Sequence, residues 1–216
     1  RPCTEGTRED CEFARFMGVD VDGAFADEVV VPRDAVYSIP DALSWREAAY
    51  LEPVAAAIAV LNAPLPRREP GLVLGRGRIA TLTARILEAH DFQEVVVASR
   101  AAAKLSGRAY SFVIETDAAA HGLTEALRLV KPGGLMVLKS RPEAAVPLDL
   151  YQAVIRRLRL IGVHYGPFKD AIDLLAHRRL NIEDLLGPVY ALSDAARAFA
   201  EDDGRLKRFL VPDTFA

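Results

Sequence analysis

The sequence predicts an α/β protein whose core is a parallel β-sheet, and three observations lead to this prediction. From Gly71 onward, continuous apolar runs of strand length alternate with segments of helical periodicity, which is typical of parallel strands buried on both faces. The chain has 216 residues, 51% of them hydrophobic, which suffices to bury a sizeable core. A glycine-rich turn, Gly75-Arg76-Gly77, joins the first apolar run to the first helical segment.

Composition and charge argue against two classes of partner. The formal net charge is −3 and the arginines are spread along the chain, so we expect no basic face for nucleic acid. The most apolar helical stretch, residues 53–61, is far shorter than the roughly 20 residues that span a bilayer, and no charged-then-apolar leader opens the sequence. We therefore expect a cytoplasmic protein with no membrane partner.

The segment that precedes the sheet is short and β-rich. Residues 18–39 are punctuated by Gly23 and Pro32, which suits strands of a barrel or sandwich, but the segment is too small to stand alone. The chain opens on Arg1, not on an initiator methionine, and its first residues have no core of their own. We therefore expect that an N-terminal part is missing.

Two helices and a linker follow this segment. Ser44 and Glu47 have the spacing of a capping box, and Pro53 is expected to begin a second helix. The stretch NAPLPRREP, residues 62–70, concentrates three prolines and three charges and predicts a domain boundary.

Five strands and four helices are predicted beyond the linker. The strands are residues 71–75, 94–98, 111–115, 135–139 and 158–164, and the helices are residues 78–89, 122–130, 150–157 and 169–178. The tail predicts a short strand, PVYAL, then a helix capped by Ser193 and a closing strand, RLKRFLVP.

One spacing in this series is too short. Only ten residues separate Arg100 from Ser111, whereas a crossover helix, a further strand and a return need well over about a dozen. The third strand of a six-stranded Rossmann sheet is therefore predicted to be lost. Five strands remain, in the order 2-1-4-5-6.

The glycine turn is the main candidate for ligand binding. Gly75 permits a tight turn, Gly77 lets a phosphate approach the backbone, and Ala80 supplies a small residue for packing of helix on strand. Such a pattern is weak alone, but its position between a strand and a helix strengthens it. A plain strand-to-helix turn that binds nothing remains the alternative.

The end of the second strand bears on the choice of nucleotide. An acidic residue at this place would bind the ribose hydroxyls of NAD, but the sequence offers Ser99 and Arg100. A hydroxyl and a guanidinium suit a 2′-phosphate, so the sequence favours NADP(H) over NAD(H). The alternative is that Arg100 is only the solvated first residue of a helix. The stretch RLVKPGGLMVL also leaves a class I methyltransferase open.

Ordered motifs along the whole chain resemble the zinc-dependent alcohol dehydrogenases of the medium-chain dehydrogenase/reductase superfamily. They are GVDVDGAFAD at residues 18–27, LEP at 51–53, MVLKS at 136–140, IG at 161–162 and GPFKDAIDLL at 166–175. The resemblance implies a remnant of a β-rich, GroES-like catalytic domain with a connecting helix at residues 1–62. It further implies a Rossmann cofactor-binding domain at 63–179 and a C-terminal return to the catalytic domain at 180–216.

The same resemblance implies chemistry and partners. The expected reaction is hydride transfer between an alcohol and a carbonyl compound of low molecular weight, by a homodimer paired through the edge of the cofactor-domain sheet. Arg76 adds positive charge to the phosphate turn, and Lys207 matches a basic position that can meet the pyrophosphate in relatives. The sequence identifies no catalytic residue.

Zinc is implied in intact relatives, but its ligands are incomplete in this sequence. Cys3 and Cys11 resemble the last two of four thiolates in a structural zinc lobe, and two thiolates cannot close a tetrahedral shell. Glu52 of the LEP motif lies at or near the catalytic metal in several subfamilies, or it is only a charge at a helix end. The four histidines are dispersed, with no neighbour at ligand spacing.

Some departures from the family pattern suggest impaired activity. The usual E-A-[TS]-G after the fourth strand is replaced here by residues 115–118, ETDA, which places the carboxylate of Asp117 where backbone would approach the cofactor. We therefore expect weak nucleotide binding and little activity. The alternative is a catalytically inactive or repurposed Rossmann-type remnant that serves as a binding or assembly module.

Overall fold

A computed structural model describes residues 11–105, 109–117, 122–142 and 144–213. The chain divides into two compact units. The sheet unit is Pro40–Leu186, and the terminal unit combines the chain from Gly187 onward with the residues before Pro40.

The sheet unit contains a five-stranded parallel sheet in the order β2-β1-β3-β4-β5. The strands are β1 (Gly71–Leu74), β2 (Val95–Ala98), β3 (Tyr110–Glu115), β4 (Val130–Leu138) and β5 (Arg159–Gly162). The helices are α1 (Trp45–Ala49), α2 (Leu51–Ile58), α3 (Arg78–Ala89), α4 (Arg100–Leu105), α5 (Gly122–Leu129), α6 (Leu150–Ile155) and α7 (Phe168–Ala176). The predicted Rossmann-type fold, with five strands in this order, is confirmed.

The core lies on both faces of the three central strands. Alternate residues of β1 point to opposite faces, so Val73 packs with Phe112 in one apolar cluster while Leu72 packs with Val113 and Met136 in the other. All five side chains are fully buried. Burial on both faces explains why these strands read as continuous apolar runs in the sequence.

The two edge strands are less covered. Among the described strands, β2 pairs only with β1, and β5 pairs only with β4. The exposed fractions of Val96 and Val97 in β2 are 39% and 45%, whereas those of the valines in β1 and β3 are zero.

The helices that lead into the sheet follow their local signals, with one correction. The predicted capping box is present: the Ser44 side chain accepts a hydrogen bond from the amide of Glu47, and the Glu47 carboxylate accepts one from the amide of Ser44. That second bond is the largest cause that holds the pKa of Glu47 below its usual range. The second helix begins at Leu51, not at Pro53, because the first turn of a helix needs no N–H from proline.

The terminal unit holds β6 (Leu186–Ala191), α8 (Ala195–Ala200) and β7 (Lys207–Val211), and β6 pairs with β7. The prediction of strands in residues 18–39 is wrong: the described structure there has one bridge, Met17 to Val21, and a single 3-10 turn, Arg33–Ala35. A strand needs a partner strand, and no described segment pairs with these residues.

The predicted cap at Ser193 is also wrong. Asp194 is the residue that precedes α8, and no side chain caps this helix. The Ser193 hydroxyl instead donates to the carboxylate of Asp213 at 3.1 Å. No helix in the described ranges is both long and apolar enough to cross a membrane.

Candidate functional site

The glycine turn lies at the carboxyl end of β1, pressed against the end of β3. The Gly75 amide donates to the carbonyl of Ala98 at 3.0 Å, and the Thr116 hydroxyl donates to the carbonyl of Leu74 at 3.0 Å. A Cβ atom at Gly75 would lie 2.2 Å from Oγ1 of Thr116. Position 75 therefore requires glycine, for a steric reason that the sequence pattern only implied.

Helix α3 starts directly behind this turn without a side-chain cap. Gly77 is its N-cap residue and has no side chain that could bond the first amides of the helix. Ala80 is buried, and its Cβ lies 3.3 Å from the place where a Gly75 Cβ would be. The small residue at position 80 thus allows the helix to pack on the strand, and the uncapped first turn has the geometry that binds anions.

A cavity of about 700 Å³ opens beside the turn, at the carboxyl ends of β1, β2 and β3. It is lined by Arg76, Gly77, Ser99, Ala101, Thr116, Asp117 and Glu125. This volume is within the usual range of small-molecule sites. The structure therefore brings three of the predicted cofactor-binding residues, Arg76, Gly77 and Ser99, to one cavity, with Gly75 in the same turn.

The cofactor roles of the other two residues, Arg100 and Lys207, stay predictions. Arg100 begins α4, but its side chain is outside the described part of the structure. Lys207 begins β7 in the terminal unit.

Ser99 has a structural task as well as a place in the cavity. Its side-chain oxygen accepts a hydrogen bond from the amide of Ala102 at 3.3 Å, and its carbonyl accepts one from Ala103 at 2.9 Å. Ser99 therefore caps α4, while its hydroxyl proton can still be donated to a ligand.

The carboxylates that line the cavity come from other elements than in a typical NAD site, where an acidic residue follows the second strand. Asp117 follows β3 and Glu125 lies in α5, whereas the end of β2 supplies no carboxylate. Among the side chains that the structure describes, Arg76 is the cation that lines the cavity beside these two carboxylates. This balance of charge disfavours a polyanionic nucleotide near Asp117.

A second polar group lies at the same edge of the sheet, where β4 and β5 end. We call it the basic cluster and define it as Glu52, Lys139, Arg141, His164 and Tyr165. The Lys139 ammonium donates to the carbonyl of His164 at 3.0 Å, and Nη1 of Arg141 lies 2.9 Å from Nε2 of His164. The Tyr165 hydroxyl donates to the Glu52 carboxylate. These contacts join two strand ends to the first turn of α2.

Burial and neighbouring cations set the protonation of this cluster. Burial, then Arg141, lowers the pKa of Lys139, while Glu52 acts in the opposite direction. Burial, Arg141 and Lys139 lower the pKa of His164, so this imidazole is neutral at pH 7. Burial and the hydrogen bond to Glu52 raise the pKa of Tyr165.

A buried carboxyl group lies between β3 and β4. Glu115 is 1% exposed, and the Ser140 hydroxyl approaches its two oxygens at 2.8 and 2.6 Å. Burial raises the pKa of Glu115, although the bonds from Ser140 oppose this shift. Through its hydrogen bonds with Ser140, Glu115 therefore holds in place the segment that carries Lys139 and Arg141.

The described residues do not fit a zinc ion. No three His, Cys, Asp or Glu side chains converge within the described ranges. Glu52 is bonded to Tyr165 and has Lys139 close by, and a cation at this place would compete with the metal. Cys11 is half-buried, and Cys3 lies outside the described residues. A metal role for Glu52, Cys3 and Cys11 stays a prediction.

Known proteins resemble this chain in sequence and in fold. No protein-family model matches the sequence. D-xylulose reductase A of Aspergillus oryzae is 23% identical over 236 residues, which cover 93% of this chain and 66% of that protein. An alcohol dehydrogenase of Escherichia coli CFT073, solved with NADH, superposes with a TM-score of 0.86 at 21% identity. It matches 98% of this chain and 72% of that chain.

A further solved structure has a different nucleotide. A protein described as a zinc-binding dehydrogenase of Sinorhizobium meliloti 1021, bound to NADP, superposes with a TM-score of 0.83 at 23% identity over 98% of this chain and 72% of that chain. These comparisons confirm the resemblance to zinc-dependent medium-chain dehydrogenases that the ordered motifs predict. The chain spans about two thirds of the length of the A. oryzae relative.

Sequence reasoning missed the basic cluster. The sequence gives the histidines no neighbour at ligand spacing, and Lys139 enters only as part of the MVLKS motif. A signal was available, because Lys139 and His164 are each the last residue of a predicted strand of one parallel sheet, and such strand ends meet at one edge.

Proposed function

We propose that this chain binds NADP(H) as part of an alcohol dehydrogenase-like oxidoreductase, which transfers a hydride between an alcohol and a carbonyl compound. The observation that carries the proposal is the cavity beside the uncapped glycine turn, at the edge of the sheet where ligands of such folds bind. The nicotinamide cofactor would supply the hydride chemistry. The relatives reported above are dehydrogenases, so they favour this function over a repurposed binding module.

In this proposal residues 63–179 form the cofactor-binding domain. Gly75 and Gly77 let the pyrophosphate approach the first turn of α3, and Arg76 contributes positive charge. Ser99 and Arg100 meet the 2′-phosphate, and Lys207 meets the pyrophosphate. Position 75 supports this assignment, because a larger residue there would push the turn away from Thr116.

The preference for NADP(H) rests on the end of β2. No carboxylate follows this strand, and the Ser99 hydroxyl lines the cavity with its proton available. The solved relatives hold NADH in one case and NADP in the other, so they leave the preference open.

We further propose that this chain binds the nucleotide weakly and has weak catalytic activity. Asp117 and Glu125 place two carboxylates in the cavity against Arg76, and the described residues around Glu52 do not fit zinc. Full dehydrogenase activity would then depend on side chains other than those that the structure describes.

Calorimetric titration of the full chain with NADPH and with NADH tests the proposal. We expect NADPH to bind more tightly, and Arg100→Gln to weaken NADPH about tenfold while it leaves NADH unchanged. The matched control is Arg68→Gln, since Arg68 is exposed just before the amino end of β1. Tighter binding of NADH would contradict the cofactor assignment, and no heat from either nucleotide would contradict the function.

We also propose a homodimer that pairs through β5. This strand has a free edge, and the neighbouring helix α6 leaves Leu150, Tyr151 and Val154 about 65–73% exposed. Light scattering on an analytical column should show a dimer that Val154→Asp dissociates. The control is Val30→Asp, because Val30 is 97% exposed in the terminal unit. A monomeric wild-type chain would contradict this assembly.

A further inference from the structure

We propose that the basic cluster is a subsite for a carboxylate of the substrate, so that this chain takes hydroxy acids or the matching oxo acids. The inference rests on the proposed dehydrogenase function, because that function makes the bound molecule a substrate. The geometry of Arg141 and Lys139 is the reason for a carboxylate. It narrows the proposed alcohol or carbonyl substrate to one that carries a carboxylate.

The position of the cluster suits a substrate that lies beyond a bound nucleotide. It follows β4 and β5, which are two and three strands away from β1 and its glycine turn. With about 4.8 Å between neighbouring strands, the glycine turn and the basic cluster lie roughly 10–15 Å apart along one edge of the sheet. Both are therefore on the side of the sheet where such folds bind ligands.

Arg141 is held in one orientation but keeps hydrogen-bond capacity. Its Nη1 lies 2.9 Å from Nε2 of His164, and because a guanidinium can only donate, the imidazole nitrogen accepts. The guanidinium carbon also lies 5.8 Å from the centre of the Tyr165 ring. A guanidinium has five N–H donors in a planar fork that matches a carboxylate. His164 and Tyr165 therefore act as positioning residues for Arg141.

The charges of the cluster leave a place for one anion. Lys139 is 7% exposed and Arg141 is exposed, and neither forms an ion pair with a carboxylate among the described residues. Glu52 is the carboxylate that acts electrostatically on Lys139 and on His164. Among the described residues two cations thus face one carboxylate, and the buried Lys139 charge is stabilised by an opposite charge.

The same balance selects a carboxylate over the other candidates. A neutral polyol would leave the surplus positive charge uncompensated. A phosphate ester carries about two negative charges, and Glu52 would repel it more strongly than a single carboxylate. A monoanion that accepts two parallel hydrogen bonds from Arg141 fits best.

The test compares two probes that share a six-carbon polyhydroxy chain, D-gluconate and D-glucitol, in which C1 is a carboxylate or an alcohol. Dissociation constants for the full chain are measured by ligand-observed NMR at pH 7 and low salt. We expect gluconate to bind at least about tenfold more tightly, since a charge-assisted hydrogen bond contributes on that scale. Arg141→Gln should bring the ratio to within about twofold, and Arg141→Lys should keep part of it.

Controls separate this inference from loss of structure and from the proposed function. Arg68→Gln should leave the ratio unchanged, because Arg68 is exposed before β1 and outside the cluster. Thermal melts should show that each variant folds. If Arg141→Gln fails to fold, the ratio of dissociation constants for the wild-type chain and for Arg141→Lys still tests the carboxylate subsite. Equal binding of the two probes, binding of neither, or tighter binding of D-glucitol 6-phosphate than of gluconate would overturn the carboxylate subsite.

The nucleotide titration is read separately. NADPH binding without a preference for gluconate would reject the subsite and keep the proposed function. A gluconate preference without nucleotide binding would keep the subsite and reject the dehydrogenase.

Discussion

The glycine cavity and the basic cluster share one edge of the sheet but are built in different ways. The cavity is formed by a backbone turn, an uncapped helix and the carboxylates of Asp117 and Glu125. The basic cluster is a set of side chains bonded to one another, such as Tyr165 to Glu52 across 113 positions of sequence. The difference teaches that a backbone-built site is readable from local sequence, whereas a site built from side-chain contacts depends on the fold.

The largest effect is expected at the turn. Gly75→Ala places a methyl group 2.2 Å from Oγ1 of Thr116 and should lower the free energy of unfolding by about 1–3 kcal/mol. Urea unfolding measures this loss of stability. The same substitution should abolish NADPH binding, because it displaces the turn. Gly162→Ala is the matched control, because no atom lies within 4 Å of its added Cβ.

A double variant tests the cause of that loss. Thr116→Ala removes the clashing oxygen, so it should recover part of the stability that Gly75→Ala costs. If Gly75→Ala alone is as stable as the wild-type chain, the turn is not held by steric contact with β3.

A moderate effect is expected from charge in the cavity. Asp117→Asn removes a carboxylate from the lining and should tighten NADPH about two- to fivefold at low salt, with a smaller gain at high salt. Calorimetry measures the change, and Asp41→Asn is the control at an exposed position that does not line the cavity. Unchanged or weaker binding would show that Asp117 does not oppose the nucleotide.

The smallest effect is expected at an exposed ion pair, which gives a baseline for the charges of the basic cluster. Arg85 binds Asp184 through two hydrogen bonds of 2.7 Å, and the bond from Arg85 is the largest cause that lowers the pKa of Asp184. A carboxyl with a depressed folded pKa contributes stability above its unfolded pKa of about 3.9, and this stability is lost as the pH falls through the folded pKa.

Urea unfolding of the wild-type chain and Asp184→Asn measures this contribution. The Asp184 side chain is 60% exposed, so the difference at pH 7 should be only about 0.5 kcal/mol after solvent screening. It should vanish at a pH below both pKa values. A difference that persists in acid would assign the effect to packing.

Much of the sheet could be predicted because its signals are local. Buried parallel strands are continuous apolar runs, and the short spacing before Ser111 indicated five strands. The capping box of Ser44 and the turn at Gly75 likewise depend on residues within a few positions of each other.

The failures share a non-local cause. Ser193 was predicted to cap a helix, but Asp213, 20 residues away, takes its hydroxyl. The β-rich pattern of residues 18–39 could not show whether a partner strand exists for it. Arg141 gave no signal in sequence, because its role depends on His164, 23 positions away.

The outer edge of β2 has a practical consequence for handling this protein. A strand whose outer edge has no partner strand in the described structure, and whose valines are half-exposed, is a template on which a second, partly opened copy can add its own strand. Heating would then remove material from solution in a concentration-dependent and irreversible way. Chemical denaturation of dilute samples is therefore the sound route to every equilibrium stability compared above.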